Sequence, residues 1–368
     1  MRARDLGIVI GSHATGRHNA ITDVAGIRVG HHTIVSDSVR DDGQSTCART
    51  GVTVIVPHEN IWSEPVFAGT HRLNGSGEVT GLEWIRESGE LTSPIGLTNT
   101  HSVGVVRDAL VQAQTQVRGE GTYWCLPVVG ETYDGVLNDI NAHHVRAEHV
   151  EAALQLATSG PVEEGNVGGG TGMICHDFKG GIGTSSRVMS AGDTDYTVGV
   201  LVQANYGRRD RLRINGVPVG ERIGADVVPL PSSPRPRTSG SGSIIIVVAT
   251  DAPLLPHQCT RMAQRAALAV GRMGGTGEQY SGDIFLGFST GNRGLPTYSA
   301  EPVTDNRSSA IPVRMLAPHL QTLLFDLTIE ATEEAIVNSM VAAETITGHR
   351  GVTVHAIDHG LLQEAMLS

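Results

Sequence analysis

Hydrophobic residues are concentrated in short runs at several places along the chain, and each run has the length of a strand. The runs lie at residues 51–57, 122–129, 196–204, 244–249 and 283–288. Aliphatic and β-branched residues dominate them, as is typical of strands that are buried on both faces. The pattern therefore predicts a set of core strands spread over the whole sequence.

Three longer segments instead repeat apolar residues every three or four positions, which predicts helices. They cover residues 142–157, 251–273 and 332–347. In the second segment, Pro256 suits the first turn of a helix and Gly274 suits its end. Strands and helices thus alternate loosely, and this mixture predicts helices that pack on the faces of sheets.

One polar segment interrupts this pattern. Residues 229–242 read PLPSSPRPRTSGSG, so nearly every position is Pro, Ser, Gly, Thr or Arg. Such a composition predicts an exposed, mobile linker. Ser243 follows directly and opens the run IIIVVAT, which strongly favours a strand. The Gly242–Ser243 bond would therefore lie where the mobile linker ends and a buried strand begins.

Composition narrows the classes of function. The chain has 368 residues, of which 39% are hydrophobic, and this supports a folded protein with a sizeable core. Its net charge of −11 argues against nucleic acid or an anionic membrane as a main partner, because both attract clustered Lys and Arg. No apolar run approaches the ~20 residues of a membrane helix.

The cysteines and the first residues of the sequence indicate the cellular compartment of the protein. Four cysteines lie far apart without a C-x-x-C pair, so neither a zinc clip nor a disulfide scaffold is indicated; they are Cys47, Cys125, Cys175 and Cys259. Residues 6–10 are too short for a secretory apolar region of ~7–15 residues. We expect a cytoplasmic protein, and a periplasmic location stays open because the sequence could begin after processing.

Several motifs carry little weight. Residues 287–291 match the G-x-S-x-G nucleophile elbow, but the NRGLP that follows cannot begin a helix. Residues 165–172 are glycine-rich, without the spacing of a nucleotide-binding loop. Adjacent histidines at 31–32 and 143–144 point in different directions, and no metal-ligand spacing accompanies them. We interpret these segments as turns and solvated or hydrogen-bonded histidines, and expect no metal.

The Gly242–Ser243 junction suits self-cleavage. The serine hydroxyl would attack the preceding carbonyl, and Gly242 presents no side chain to block it. The ester formed by this N-to-O shift would then be opened by water. The freed Ser243 would carry a hydroxyl and an α-amine of pKa near ~7.7–8.0, hence a nucleophile and a base in one residue. From the residues alone, a plain linker followed by a strand remains the alternative.

The junction GSIIIVVATDAPLLPHQ resembles that of the L-aminopeptidase/D-esterase (D-amidase) family, which includes DmpA-type and β-peptidyl aminopeptidases. Further segments match in the same order over nearly the whole chain. They are HNAITDVAGIRVGHHT, NGSGEVTG, NTHSVG, PVVGETYDGVLND, VGGGTGM, FKGGIGTSSR, VQANYG and SGDIFLGFSTGN.

The resemblance implies an α/β (α+β) fold, namely one four-layer αββα sandwich of the N-terminal-nucleophile-hydrolase type. It also implies that the chain cuts itself into residues 1–242 and 243–368. Relatives work as tetramers of such cleaved pairs, so a homo-oligomer is expected. Neither a metal nor an organic cofactor is implied.

The resemblance also assigns roles at the junction. Ser243 resembles the nucleophile, and Ser281 and Asp283 resemble the companions that bond to its amine and hydroxyl. Alternation along a strand places residues 281 and 283 on one face, which is consistent with joint action. Some relatives have Glu in place of Asp283, and the shorter side chain leaves its contact open. A simple Ser-Gly-Asp turn is the structural alternative.

Three further residues match functional positions of the family. Asn205 resembles the amide that stabilises the oxyanion. Glu131 resembles the carboxylate that anchors the substrate's free amine, and Tyr133 resembles a tyrosine near the reacting carbonyl. The structural alternatives are an Asn-Tyr-Gly turn, an ion pair and a core tyrosine. Three neighbours are expected to be structural: Asp134, Asn138 and Asp139.

Ser241 is the competing cut site, because Gly240 and Ser241 also form a Gly-Ser pair. A cut there would leave Gly242 between the nucleophile and the strand, and the nucleophile would be loosely held. We therefore favour cleavage before Ser243.

These observations predict an aminopeptidase that removes the N-terminal residue of small peptides, amides or esters through an acyl-enzyme on Ser243. One alternative is an acyltransferase of the related ornithine acetyltransferase fold, although those enzymes have Thr at the cut. A second is an uncleaved, non-catalytic binding protein. The sequence does not select between L-α-, β- and D-amino-acid substrates.

Overall fold

The computed structural model describes residues 1–39, 43, 45–121, 124–232, 241–296 and 310–367. The strands in these ranges are β1 (Arg28–Val39), β2 (Ser45–Val56), β3 (Val66–Arg72), β4 (Glu90–Leu91), β5 (Ile95–Asn99), β6 (Val128–Thr132), β7 (Ile174–Cys175), β8 (Phe178–Lys179), β9 (Gly181–Ala191), β10 (Thr194–Asn205), β11 (Ser241–Thr250), β12 (Tyr280–Ser289), β13 (Ile346–Thr347) and β14 (Thr353–Val354). The α-helices are α1 (Leu82–Ser88), α2 (Val103–Arg118), α3 (Ala147–Gln155), α4 (Val219–Arg222), α5 (Pro256–Arg272), α6 (Gln321–Val341) and α7 (His359–Leu367).

Two larger sheets form the centre of the fold. One has the strand order β1-β2-β5-β6, and the other has the order β4-β3-β12-β11-β10-β9. Helices α2 and α3 pack on the first sheet, whereas α5 and α6 pack on the second. The inner faces of the two sheets meet where β6 contacts β10 and β11. The layers are therefore helix, sheet, sheet and helix, as the αββα prediction requires.

Strand β11 shows why its sequence is an unbroken apolar run. Its side chains alternate between two buried surfaces, as the pleat dictates. Ile245 and Val247 belong to the core between the sheets, whereas Ile244 and Ile246 belong to the core beneath α5 and α6. Because both faces are covered by protein, no polar position interrupts the strand.

Most of the predicted strands are confirmed. Residues 51–57 overlap β2, 196–204 lie in β10, 244–249 in β11 and 283–288 in β12. The strand predicted at 122–129 was wrong at its start, because β6 begins only at Val128, after irregular chain at 124–127. Residues 122–123 lie outside the described ranges.

The predicted linker at 229–242 is only partly described. Residues 233–240 fall outside the described ranges, and Ser241 and Gly242 already belong to β11. The linker prediction was therefore wrong at its C-terminal end. Pairing with β12 begins at Ser241, opposite Tyr280, and this pairing extends the strand over small polar residues.

The helix predictions had mixed outcomes. The segments 142–157 and 251–273 contain α3 and α5, each shorter than predicted. The segment 332–347 was wrong at both ends, because α6 spans Gln321–Val341 and Ile346 lies in β13. Nearly all of α6 is buried, so its apolar residues do not form the single stripe on which the prediction depended.

No helix of the described part of the chain has both the length and the apolar character needed to cross a membrane.

A buried ion cluster joins α6 to the second sheet. Arg187 of β9 is fully buried and donates hydrogen bonds to Glu334 (2.7 Å) and to Glu330 (3.2 Å). Arg4 reaches Glu334 from the N-terminal segment at 2.9 Å, and Arg187 also donates to the Ile10 carbonyl at 2.7 Å. The cluster thus ties α6, β9 and the N-terminal segment together.

We expect Arg187→Met to destabilise the fold strongly, because it leaves buried carboxylates without their main cation. Loss of one partner of a buried pair typically costs about 3–5 kcal/mol. The exposed pair of Arg208 and Asp210 offers a matched control, and Arg208→Met should cost less than about 1 kcal/mol. Urea unfolding measures both values; equal losses would contradict this account of the cluster.

Candidate active site

Three neighbouring strand ends bring the candidate nucleophile into a row with two partners. The register pairs Asn205 of β10 with Ser243 of β11, and Ser243 with Gly282 of β12. The Gly282 N–H donates a hydrogen bond of 3.0 Å to Ser243 Oγ. Ser243 is buried, and its hydroxyl is held in place by a backbone donor rather than by solvent.

The residue before Ser243 has a backbone that requires glycine. Gly242 has φ of +144°, a value that side-chain-bearing residues rarely adopt. The bond predicted to be cut is therefore preceded by a conformation that few other residues could take without strain.

Ser281 and Asp283 lie one position on either side of Gly282 and contact each other. Ser281 Oγ donates to Asp283 Oδ1 at 2.5 Å. Burial raises the pKa of Asp283 to about 6, although the bond from Ser281 opposes this rise. Because residues paired across strands share a face, their side chains project to the sheet face opposite that of Ser243. Ser281 instead pairs with Gly242, the residue that precedes Ser243.

The Asn205 side chain is oriented by two backbone groups. Its Oδ1 accepts from the Ile174 N–H at 2.8 Å, and its Nδ2 donates to the Tyr133 carbonyl at 2.9 Å. The first bond sets which end of the amide is oxygen. Because an amide nitrogen carries two hydrogens, the second can serve an oxyanion.

Glu131 is a buried carboxylate at the end of β6. Its Oε1 accepts from the Glu78 N–H at 2.9 Å, and its Oε2 accepts from Thr100 Oγ1 at 2.5 Å. Burial raises the pKa of Glu131, and the bond from Thr100 opposes the rise. The salt bridges among the described residues include none to Glu131. The site thus offers a carboxylate that an ammonium could pair with.

Tyr133 is not a core tyrosine, since its side chain is 49% exposed. Its ring lies over Gly135, where an added Cβ would fall 2.3 Å from the hydroxyl oxygen. The next residue, Asp134, is fully buried and accepts from Asn138 Nδ2 at 3.1 Å, and burial raises its pKa to about 7. This contact agrees with a structural role for Asp134 and Asn138.

Sequence reasoning assigned no role to residues 73–78, which connect β3 to the site. Asn74 Oδ1 accepts from the Asp283 N–H at 2.7 Å, and Asn74 Nδ2 donates to the Glu278 carbonyl at 2.9 Å. The Ser76 N–H donates to the Ser281 carbonyl at 3.1 Å. The segment therefore contacts both Ser281 and Asp283, and through Glu78 it also contacts Glu131.

Two glycines allow this segment to approach so closely. A Cβ on Gly282 would lie 2.6 Å from the Gly77 Cα, and one on Gly77 would lie 2.9 Å from the Gly282 Cα. The motif NGSGEVTG was visible in the sequence, but its contacts arise only because β3 pairs with β12. Thr100, in the motif NTHSVG, was overlooked because it meets Glu131 only through the pairing of β5 with β6.

The weak motifs form ordinary structure. Strand β12 ends at Ser289, and no α-helix follows it in residues 290–296. The glycine-rich segment contains a short 3-10 helix, Gly168–Gly170, that packs between the sheets. His32 stacks on His149 with ring centroids 4.7 Å apart. In the described part of the chain, no group of three or more His, Cys, Asp and Glu residues could hold a metal.

Comparison with known proteins decides the family. Residues 19–354 match the model of peptidase family S58. This chain belongs to peptidase family S58. It is 46% identical to the β-peptidyl aminopeptidase BapA of Sphingosinicella microcystinivorans, over 98% of this chain and 91% of that protein. The BapA of Sphingosinicella xenopeptidilytica is also 46% identical, over 99% of this chain and 90% of that protein.

Solved structures agree on the fold. A β-aminopeptidase from a Burkholderia species superposes with a TM-score of 0.91 at 52% identity, covering 100% of this chain and 98% of that one. The L-aminopeptidase D-Ala-esterase/amidase of Ochrobactrum anthropi, described as a prototype of the serine aminopeptidases with a variant Ntn hydrolase fold, superposes at 0.88 and 43% identity, covering 100% and 99%. The predicted fold is confirmed, and the S58 chain is an aminopeptidase.

We expect Asn74→Ala to shift the acid limb of the enzyme's pH–rate profile to higher pH. The Asn74 side chain lowers the pKa of Asp283 and so opposes the effect of burial. Without it, the pKa should rise above about 6, and the carboxylate form should be lost at higher pH. The measurement is kcat against pH with a small aminoacyl p-nitroanilide.

Asn166→Ala is the matched control. The Asn166 amide also bridges backbone groups, since it donates to the Glu344 carbonyl at 2.9 Å and accepts from the Glu344 N–H at 3.1 Å. Asn166 is partly exposed and has no hydrogen bond to Asp283, so the acid limb of the Asn166→Ala profile should stay in place. Equal profiles for the two variants would contradict the role given to Asn74.

Proposed function

We propose that this S58 aminopeptidase cuts its own chain before Ser243 and then uses Ser243 as an N-terminal nucleophile. The observation that carries the proposal is the row of Asn205, Ser243 and Gly282, with the Ser243 hydroxyl held at the start of a buried strand. The products of the cut are residues 1–242 and 243–368.

In self-cleavage, Ser243 Oγ attacks the carbonyl carbon of Gly242. The Oγ–C bond forms, the C–N bond breaks, and the proton lost by the hydroxyl goes to the departing nitrogen. Water then hydrolyses the ester, which leaves a carboxylate on Gly242 and an α-amine on Ser243. The backbone of Gly242 supports this step, because its positive φ and missing side chain leave the carbonyl open to attack.

In turnover, the Ser243 α-amine takes the hydroxyl proton as Oγ attacks the substrate carbonyl. The oxyanion accepts a hydrogen bond from Asn205 Nδ2, and the amine then protonates the leaving group. Water hydrolyses the acyl-enzyme with the same base. Ser281 pairs with Gly242, the residue that precedes the nitrogen which becomes this amine, so we assign Ser281 and its partner Asp283 to holding and tuning the amine.

Glu131 gives the site its preference for a free amino terminus. A buried carboxylate favours a substrate ammonium, because the pair forms away from water. Tyr133, half exposed beside this region, is assigned to contact with the substrate near its carbonyl.

The substrates are small peptides, amides or esters with a free amine. Relatives named for β-peptides are 46% and 52% identical to this chain, and the L-aminopeptidase D-Ala-esterase/amidase is 43% identical. We therefore propose N-terminal β-aminoacyl residues as the first substrates to test. By the family resemblance, the working enzyme is a homo-oligomer of cleaved pairs that needs no cofactor. The spacing of the cysteines and the start of the sequence make the cytoplasm its expected location.

The cut itself is tested by the intact mass of freshly purified protein under denaturing conditions. We expect two fragments, 1–242 and 243–368, in the wild type and one uncut mass in Ser243→Ala. Ser241→Ala is the control for the competing site and should still give the two fragments. One full-length mass in both the wild type and Ser243→Ala would overturn the mechanism and favour an uncleaved binding protein.

Glu131→Gln should lower kcat/KM for substrates with a free amine by on the order of 10²-fold, because it removes one charge of the ammonium pair. Self-cleavage should continue, since the Gly242–Ser243 bond carries no free amine. Glu90→Gln is the control and should keep full activity. Glu90 is a half-buried carboxyl, and burial raises its pKa as it does for Glu131. Unchanged kcat/KM in Glu131→Gln would remove Glu131 from substrate binding.

A further inference from the structure

The chain contains a single lysine, and that lysine is completely buried. Of its 27 lysine and arginine residues, only Lys179 is a lysine, and its exposure is 0%. Arginine supplies every other cation, including the buried Arg187 and Arg209. An ammonium is compact and has three donors on one atom, whereas guanidinium is a flat fork. The retained lysine therefore indicates a site that needs the shape of an ammonium.

The three donors of Lys179 match three backbone carbonyls. Nζ donates to Gly180 at 2.6 Å, to Met173 at 2.8 Å and to Gly170 at 3.2 Å. These carbonyls lie near the two ends of residues 170–180, which we call the 170–180 loop. The loop contains the hairpin of β7 and β8. The ammonium thus closes this loop from inside.

The loop holds the candidate oxyanion amide. Ile174, next to Met173, donates its N–H to Asn205 Oδ1 at 2.8 Å, which directs Nδ2 to the other side. The Met173 carbonyl also accepts from the Gly180 N–H at 3.0 Å. Lys179 therefore binds the carbonyl of the same peptide group whose N–H orients Asn205.

We propose that Lys179 is a positioning residue of the oxyanion site, acting through the 170–180 loop and the Ile174 N–H on the Asn205 amide. This inference rests on the role proposed above for Asn205.

The hydrogen bonds of Lys179 Nζ should depend on pH, because they depend on the protonation of the amine. Burial lowers the pKa of Lys179 to about 7, and the neighbouring Cys175 thiol opposes this shift. A neutral amine has two N–H donors, so deprotonation would release one of the three carbonyls.

Lys179→Met keeps the length of the side chain and removes the donors. We expect kcat to fall by about tenfold to a hundredfold with little change in KM, which is less than the ~10²–10³ cost of removing an oxyanion donor outright. Arg187→Met is the matched control, because it removes another buried cation and should lower stability without lowering kcat.

A double-mutant cycle separates positioning from plain stabilisation. If Lys179 acts through Asn205, Lys179→Met should have little further effect on kcat in the Asn205→Ala background. A multiplicative loss in the double variant would overturn the proposal.

Nuclear magnetic resonance tests the link in the wild type without relying on activity, and a variant is used only to assign the Asn205 signal. With 15N-lysine, the wild type gives one Nζ signal, and 15N-asparagine gives the Asn205 side-chain amide, assigned with Asn205→Asp. We expect both signals to titrate with one midpoint near neutral pH. If the chemical shift of the Asn205 amide does not change as Lys179 titrates, the inference is overturned. If the titrations coincide but the protein is uncut and inactive, the proposed function fails while the link holds.

Discussion

The register between β10, β11 and β12 is the constraint on which the candidate site depends. It places Asn205, Ser243 and Gly282 in one row, and it sets Ser281 beside the bond proposed to be cut. A slip of one residue would turn the Ser243 side chain to the other face of the sheet. Such a slip would also move every side chain of β11 from one packed core into the other, and closely packed cores tolerate such a change of shape poorly.

Buried polar contacts then hold the loops that complete the site. Gln203, two residues before Asn205, donates to the Thr98 carbonyl at 2.9 Å and to Thr132 Oγ1 at 2.8 Å, and so links the two sheets. The 170–180 loop lies against the same strand end, where Lys179 closes it from inside. In this low-dielectric region each unsatisfied group would be costly, so the loops have few alternative positions.

The site's two carboxylates show how burial and hydrogen bonding oppose each other. Burial raises the pKa of both Asp283 and Glu131, whereas bonds from Asn74, Ser281 and Thr100 lower it. Residues 73–78 contact both groups, so one segment of backbone couples the proposed companions of Ser243 to the proposed amine anchor. A small shift of this segment would alter both protonation and substrate binding.

The sequence by itself determined the elements whose pattern is local. These include strands β10 to β12, helix α5 and the Gly242–Ser243 junction, and the family motifs identified the αββα fold. The tertiary structure alone decided the extent of α6, which is buried almost all round and so has no single apolar stripe. It also decided the contacts of Asn74, Thr100 and Lys179. The contacts of Asn74 and Thr100 join segments that lie far apart in the chain, and they exist only once strand pairing has brought those segments together. Lys179 binds carbonyls within ten residues of itself, but its complete burial is a result of tertiary packing.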